Sequence, residues 1–200
     1  SRLDHLLCFS NFFGIGYFGG SSPNNTLRSN RVYENKGQGI LVQGGSARNR
    51  LVGNRAYRNL GAGILISGRR SNTMTGDVSA NNSVDGVQLI GTKGMRLTNV
   101  TGASNVGPGL TLVATTNAVV FKGAWYSNQN HGVLGFTTAV RASSFISNSA
   151  FWNTGVGIRL QDGALSNLIQ GCDVHDNGND AIKIETGDRN TVSGCRGYRN

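Results

Sequence analysis

Asparagine, glycine and aliphatic positions recur along this 200-residue chain with a period of 23 to 25 residues. An apolar residue lies eight positions before each recurring asparagine. Four or five positions after most of them, a small residue precedes an aliphatic one, as in Gly39-Ile40 and Gly63-Ile64. A period this regular indicates a solenoid whose repeats contact only their neighbours. The recurring asparagines are Asn35, Asn59, Asn82, Asn105, Asn128, Asn153, Asn177 and Asn200, with Asn11 in a ninth, irregular copy.

Apolar residues within each repeat alternate with period two, which is typical of strands and not of helices. Ile40 and Val42 form such a pair after the glycine, and Ile64 and Ile66 form the next one. A second short strand precedes each asparagine, and a third surrounds the apolar position that begins the repeat. The pattern therefore predicts three short strands per repeat and excludes leucine-rich and helical repeats.

About 23 residues and three strands per coil is the period of a right-handed parallel β-helix. The chain resembles that family's repeat, N-x-(apolar)-x-G-N-x-(apolar)-x-x-N-x-x-x-G-(I/V)-x-(apolar), most clearly at 49–71, 72–94 and 167–189. The resemblance, to pectate-lyase-like proteins, implies an all-β solenoid of about eight to nine coils. We expect a single domain over residues 1–200 with an irregular first coil at 1–23, as a segment of a longer chain.

The asparagine column itself is predicted to be a scaffold feature. An asparagine side chain at a sharp turn satisfies turn backbone groups and bonds the asparagine amide in the next coil. Such a ladder keeps a buried row of polar groups satisfied. Its use is to assign inward and outward faces to every other residue.

Charge is distributed unevenly along the chain, which carries 19 basic and 10 acidic residues. Residues 1–70 hold ten Lys/Arg and two Asp/Glu, whereas residues 141–200 hold six of each. The first third should therefore attract polyanions, while the last third concentrates carboxylates. A polyanion could be an acidic polysaccharide or nucleic acid, and the alternative is a merely soluble surface.

Cys172 and Cys195 occupy the same repeat position and should stack in adjacent coils. Their spacing of about 4.8 Å lies within disulfide range. Because in-register side chains point the same way, a reduced stack is expected.

Outward positions on the glycine-led strand form an aliphatic stripe in the first five coils. Exposed apolar stripes are usually covered, so we expect another subunit there, as in a homotrimer, or a flanking segment. The stripe comprises Leu41, Leu65, Ile90, Val113, Leu134 and Phe136.

The last two coils replace this stripe with polar residues. Lys183 or Arg159 could neutralise a sugar carboxylate or abstract the proton next to it, with a carboxylate handling the opposite proton. The alternative is a surface ion-pair cluster, Arg159 to Glu185 and Lys183 to Asp162, which adds little stability. The patch comprises Arg159, Gln161, Asp162, Asp180, Lys183 and Glu185.

A second outward column, just before the asparagines, carries Tyr33 and Tyr57 with Arg31 and Arg55 beside them. Sugar rings could stack on the aromatics while guanidinium groups meet their carboxylates. Aromatic stacking between coils is the alternative explanation.

Asp173-Val174-His175-Asp176 is similar to the D-P-H-D/E catalytic motif of mannuronan C5-epimerases, which are β-helices acting on alginate. The resemblance makes His175 a candidate catalytic residue. Val174 replaces the proline, however, and the segment lies in the strand that leads to Asn177. The register therefore favours a repeat turn.

Asp162, Asp180, Glu185 and Asp188 could together hold Ca²⁺, although nothing in their spacing demands it. No metal ligand set is otherwise predicted. The chain has no recognised nucleic-acid-binding signature and no apolar run of the ~18 residues that a membrane span needs.

Resemblance to this fold implies a polysaccharide-active protein in an extracellular, periplasmic or virion-surface location, and the basic first third favours a uronate-containing substrate. The leading hypothesis is a lyase-like or epimerase-like protein, or a tailspike depolymerase domain. The alternative is a non-catalytic shaft or glycan-binding adhesin segment, which the nearly constant coil length favours because no long loop walls a cleft.

Overall fold

The computed structural model describes residues 1–17, 23–44, 47–68, 71–136 and 140–200, with the backbone alone at Tyr17. Every regular element in these ranges is a β-strand of three or four residues. None of the described residues forms a helix that could cross a membrane. Three strands make one coil, and about eight coils stack into a parallel solenoid, as the sequence pattern predicts.

The first strand of each coil belongs to a nine-stranded parallel sheet, here called sheet A, in which consecutive coils are neighbours. Sheet A contains β1 (Arg2–Asp4), β4 (Thr26–Arg28), β7 (Arg50–Val52), β10 (Thr73–Thr75), β13 (Arg96–Thr98), β16 (Val119–Phe121), β19 (Ser144–Ile146), β22 (Leu168–Gln170) and β25 (Thr191–Ser193).

The second strand of each coil belongs to sheet B, which also has nine parallel strands. Sheet B contains β2 (Leu7–Phe9), β5 (Arg31–Tyr33), β8 (Arg55–Tyr57), β11 (Val78–Ala80), β14 (Thr101–Ala103), β17 (Ala124–Tyr126), β20 (Ser149–Phe151), β23 (Asp173–His175) and β26 (Arg196–Tyr198).

The glycine-led strand of each coil belongs to sheet C, which has eight parallel strands. Sheet C contains β3 (Ile15–Tyr17), β6 (Ile40–Val42), β9 (Ile64–Ser67), β12 (Val87–Ile90), β15 (Leu110–Val113), β18 (Val133–Phe136), β21 (Ile158–Leu160) and β24 (Ile182–Ile184).

The core is the column of inward side chains enclosed by the three sheets. Leu27 of sheet A, Val32 of sheet B and Ile40 of sheet C are each fully buried, and the equivalent residues of later coils continue the column. Inward residues of neighbouring coils are complementary in size along this column. Gly102 lies beside Trp125, whose ring would stand only 2.9 Å from an added β-carbon.

The asparagine column forms a continuous ladder from Asn35 to Asn200. Asn105 is typical, because its Nδ2 donates to Asn128 Oδ1 at 3.0 Å and to the Ser79 carbonyl at 3.3 Å. The ladder also explains the small residue of the repeat. A β-carbon on Gly86 would lie 2.7 Å from Asn105 Nδ2, so glycine is required at this position.

Two shorter ladders at the other corners were not predicted. Asn25, Asn49 and Asn72 form one of them, and Asn30, Asn54 and Asp77 form the other. The sequence signal was present in the spacing of these residues, which follows the same period.

The corner before the main ladder uses residues with positive φ, which turn the chain sharply between sheets B and C. Arg58, Trp152 and Asp176 adopt φ values of 55°, 56° and 53°. This conformation projects their side chains outward beside the sheet-B strands.

The aliphatic stripe on sheet C is less exposed than the sequence suggested. Leu41 and Leu65 are only 4% and 9% exposed to solvent, so the expectation of an open apolar stripe is wrong at these two residues. Ile90, Val113 and Leu134 are half-buried. A homotrimer through this stripe stays a prediction, and light scattering would test it.

Cys172 and Cys195 are free thiols stacked in adjacent coils, as predicted. The Cys172 backbone N–H lies 3.4 Å from Cys195 Sγ. Burial raises the pKa of the Cys172 thiol to about 11, which keeps it protonated and unreactive at neutral pH.

Candidate functional site

The outward face of the last two sheet-C strands gathers four charged side chains. β21 and β24 pair in register, which places Arg159 beside Lys183. Arg159 Nη2 donates to Glu185 Oε2 at 2.8 Å, and Lys183 Nζ lies 2.9 Å from Glu185 Oε1. Asp180, in the preceding turn, is 3.8 Å from the same lysine nitrogen. We call Arg159, Asp180, Lys183 and Glu185, together with His131 described below, the C-terminal cluster.

Glu185 is the carboxylate on which this cluster converges. Hydrogen bonds from Arg159, and then from Lys183, lower its pKa to about 2. Glu185 therefore stays ionised over the neutral and mildly acidic range. Because Glu185 pairs with both Arg159 and Lys183, neither cation is a free base or an open anion site in this arrangement.

His131 joins the cluster from the preceding coil and was missed as a site residue. Its signal was the turn position before the glycine-led strand, which Asp180 also occupies. Burial, and then the Arg159 charge, lowers the pKa of His131, so the ring is neutral at neutral pH. The Val156 N–H donates to Nδ1 at 2.9 Å, which leaves the proton of the neutral ring on Nε2.

His131 and Arg159 consequently face each other with donors. His131 Nε2 lies 3.2 Å from Arg159 Nη1, where two N–H groups cannot bond each other. The Arg159 Nε is buried and has no hydrogen-bond partner within the described residues. An unmet buried donor costs free energy, so an anionic oxygen beside Arg159 Nε would be favourable.

Asp162 is the remaining carboxylate of the predicted patch. Asp162 Oδ2 accepts from Gln161 Nε2 at 3.2 Å, whereas Lys183 pairs with Glu185 and Asp180. In the described ranges, no three His, Cys, Asp or Glu side chains are arranged to hold a metal ion. The predicted Ca²⁺ set, Asp162, Asp180, Glu185 and Asp188, is thus not assembled.

Exposed arginines also project from sheets A and B in the first five coils. Arg31 and Arg55 are in register on adjacent strands of sheet B. Arg50 and Arg96 project from sheet A, where Thr73 separates them. None of the four forms an ion pair with a described residue. We call Arg31, Arg50, Arg55 and Arg96 the N-terminal arginine surface.

Aromatic rings stack beside these arginines. Tyr33 lies between Phe9 and Tyr57, with ring centroids 5.2 and 5.0 Å apart and planes within 9° of parallel. The alternative explanation for these tyrosines, stacking between coils, is therefore correct for Tyr33. The sugar-binding role predicted for Arg31, Tyr33, Arg55 and Tyr57 stays a prediction.

His175 lies on sheet B, away from the sheet-C strands that carry Arg159 and Lys183. Its ring is stacked between Phe151 and Tyr198, at 5.2 and 4.8 Å. Its Nδ1 lies 2.7 Å from Asp176 Oδ2, and Asp176 also pairs with Arg199 at 2.7 Å. The structure therefore does not bring His175 together with the other candidate catalytic residues.

The family described as "Right handed beta helix region" matches residues 7–79, 22–165 and 85–200. These matches cover nearly the whole chain, and the protein belongs to the right-handed β-helix family. No curated protein matches it in sequence.

Solved structures with the same fold include an epimerase, a lyase and a tailspike protein. The Azotobacter vinelandii mannuronan C-5 epimerase AlgE4 A-module has a TM-score of 0.78 at 17% identity, over 88% of this chain and 60% of that one. The pectate lyase Pel9A has 0.67 at 15%, over 89% and 51%. The Dettilon tailspike protein gp208 has 0.66 at 15%, over 86% and 42%. The chain thus spans between two fifths and three fifths of their length, and at these identities the likeness shows the fold.

Proposed function

We propose that this protein binds an acidic, uronate-containing polysaccharide through the N-terminal arginine surface. The observation that carries the proposal is the in-register pair Arg31 and Arg55, which has no carboxylate partner among the described residues. Neighbouring strands are about 4.8 Å apart, and like charges placed directly opposite destabilise a sheet. A bound anion would offset this repulsion.

A polymer suits this surface better than a single small anion. Arg50 and Arg96 continue the positive charge along sheet A, where a groove of about 420 Å³ includes both of them with Thr73 and Thr98. Guanidinium groups bind carboxylates in bidentate geometry. The mannuronan and pectate named for two of the similar structures are polymers that carry such carboxylates, which supports this ligand class.

Calorimetric titration with oligomannuronate and oligogalacturonate tests the proposal. We expect the Arg31→Gln/Arg55→Gln double variant to lose at least about a hundredfold in affinity, because each of the two charge-assisted contacts contributes ~1.5–3 kcal/mol. Arg189→Gln is the matched control, since Arg189 is equally exposed but lies beside Asp188. Binding that is equal in all three proteins, or absent from the wild type, would contradict the proposal.

A second candidate function is catalysis at the C-terminal cluster. The donors of His131 Nε2 and Arg159 Nε could bind a uronate carboxylate and stabilise the charge that develops when its α-proton is removed. Lys183 would serve as the base once substrate binding separates it from Glu185. A lyase or an epimerase would use this arrangement.

Incubation with alginate, polygalacturonate and bacterial capsule separates catalysis from binding alone. A lyase produces unsaturated uronates that absorb in the ultraviolet, and an epimerase changes the proton NMR spectrum. Activity that is lost in Lys183→Ala and kept in His175→Ala would support the cluster. If no polymer reacts, catalysis is excluded for these substrates and the non-catalytic shaft or adhesin role remains.

A further inference from the structure

The aromatic stack on sheet B is interrupted. Phe9, Tyr33 and Tyr57 stack over three consecutive coils. The next two coils carry Ala80 and Ala103 at the same register position, and a second stack begins at Tyr126. The interruption therefore removes two rings from an otherwise continuous column.

Ring faces within a stack are already covered, and only the ends of a stack are open. Phe151 illustrates a covered ring, because Tyr126 lies 4.9 Å away on one side and His175 lies 5.2 Å away on the other. Among the described rings, Tyr57 stacks on Tyr33 alone. Its other face looks toward Ala80, whose methyl group is too short to cover it.

A groove of about 470 Å³ opens at this point. It is lined by Tyr57 and Ala80 together with Arg31 and Arg55. Alternate residues of a strand share one face, so Arg55 projects from the same face as Tyr57, two residues away. The groove thus combines an open aromatic face with two guanidinium groups that have no ion-pair partner among the described residues.

We propose that this groove seats one uronate residue of a bound chain. The C–H face of the pyranose packs on the open face of Tyr57, in the space that an aromatic ring at position 80 would occupy. Its carboxylate meets Arg55 and Arg31. This inference rests on the proposed polysaccharide binding and assigns it a specific seat.

Two substitutions, one that removes a ring and one that adds a ring, test this proposed uronate seat. Tyr57→Leu removes the aromatic face, whereas Ala80→Tyr should stack on Tyr57 and fill the seat without removing any charge. We expect each to lower the affinity for oligogalacturonate or oligomannuronate about fivefold to tenfold in calorimetric titration. Thermal unfolding of Ala80→Tyr should occur at or above the wild-type temperature, so lost binding cannot be ascribed to unfolding.

A matched control removes a ring elsewhere on sheet B. Phe151→Leu removes a ring whose faces are both covered. It should bind within about twofold of the wild type. A carboxyl-reduced oligosaccharide should bind the wild type at least about tenfold more weakly, because it leaves both guanidinium groups unmet.

The outcomes separate this inference from the proposed function. Binding that falls in Arg31→Gln/Arg55→Gln but not in Ala80→Tyr overturns the seat and leaves polysaccharide binding intact. Absence of binding to any acidic oligosaccharide overturns both. Single-stranded DNA that competes more strongly than the uronates for the groove also overturns the seat, because a base stacked on Tyr57 would then be the better ligand.

Discussion

The first coils of sheet B and the last coils of sheet C each place two cations in register on adjacent strands, yet only one pair is neutralised. Arg31 and Arg55 have no carboxylate partner among the described residues, whereas Arg159 and Lys183 share Glu185. The difference between the two pairs comes from the residue two positions further along the chain. Arg55 is followed at that position by Tyr57 and Lys183 by Glu185, so one outward residue decides whether the scaffold presents an open anion site or a closed ion-pair cluster.

The same contrast applies to carboxyl groups, and it gives the largest expected effect. Glu185 has cation partners and a pKa lowered to about 2. Asp77 has none within the described ranges, and burial raises its pKa to about 6 although Asn54 and Thr75 donate to it. The folded state therefore binds the Asp77 proton more tightly than the unfolded state. This stabilisation is complete below the unfolded pKa near 3.8 and is lost as pH rises through about 6.

We expect the free energy of unfolding to fall by ~3 kcal/mol from this residue between pH 3 and pH 8. Denaturant unfolding at intervals of one pH unit would measure it. Asp77→Asn should reduce the slope over this range by that amount, while Asp85, whose pKa burial also raises to about 6, still contributes to it. Asp188→Asn, which alters an exposed carboxylate, should leave the slope unchanged. An unchanged slope in Asp77→Asn would show that Asp77 titrates alike in both states.

Converting the open site into a closed one should give the next largest effect. Tyr57→Glu places a carboxylate two residues after Arg55, as Glu185 follows Lys183. We expect polyuronate affinity to fall about thirtyfold, or ~2 kcal/mol, because the ring is lost and the arginines gain a competing partner. Tyr57→Gln separates the two causes, since it removes the ring without adding charge. Equal losses in both variants would show that neutralising the arginines has no effect.

Opening the closed site should produce a smaller gain. Glu185→Gln releases Arg159 and Lys183 from their shared carboxylate. We expect polyuronate affinity to rise about threefold to fivefold at low salt, and the rise to disappear at 1 M salt, where the Debye length is about 3 Å. Titration at both salt concentrations would measure it, with Asp188→Asn as the control. A loss of affinity instead would mean that Glu185 itself positions the ligand.

The smallest effect concerns stability at the C-terminal cluster. Arg159 and Glu185 remain 29% and 31% exposed, and such partly exposed ion pairs contribute little. Glu185→Gln should leave the midpoint of denaturant unfolding nearly unchanged at neutral pH. A clear fall in that midpoint would identify the cluster as a structural device.

Sequence periodicity was sufficient to predict the fold because the ladder and the core impose residue types at fixed spacing. The amide of Asn82 requires a glycine at position 63, and inward positions such as Ile64 must be apolar. Strand boundaries and inward faces follow directly. The shorter ladder through Asn30, Asn54 and Asp77 was missed because it spans few coils, and its third member is not an asparagine.

The candidate sites were only partly predictable. Register alone placed Arg159 beside Lys183, because both lie on the same strand position of adjacent coils. It did not place His131, since that side chain reaches Arg159 from a turn. Exposure was also beyond the pattern. Leu41 points outward yet is buried, because periodicity gives the direction of a side chain and not what packs around it.

The near-constant coil length also makes the solenoid modular along its axis. Four coils separate Arg55 from Arg159, which corresponds to about 19 Å along the solenoid axis at roughly 4.8 Å per coil. Duplicating one coil, such as residues 72–94, would lengthen this interval by one step and preserve every ladder, whereas a residue inserted within a strand would turn the following side chains of that strand to the opposite face. The spacing between two surface sites can therefore change in whole-coil steps without redesign of either site.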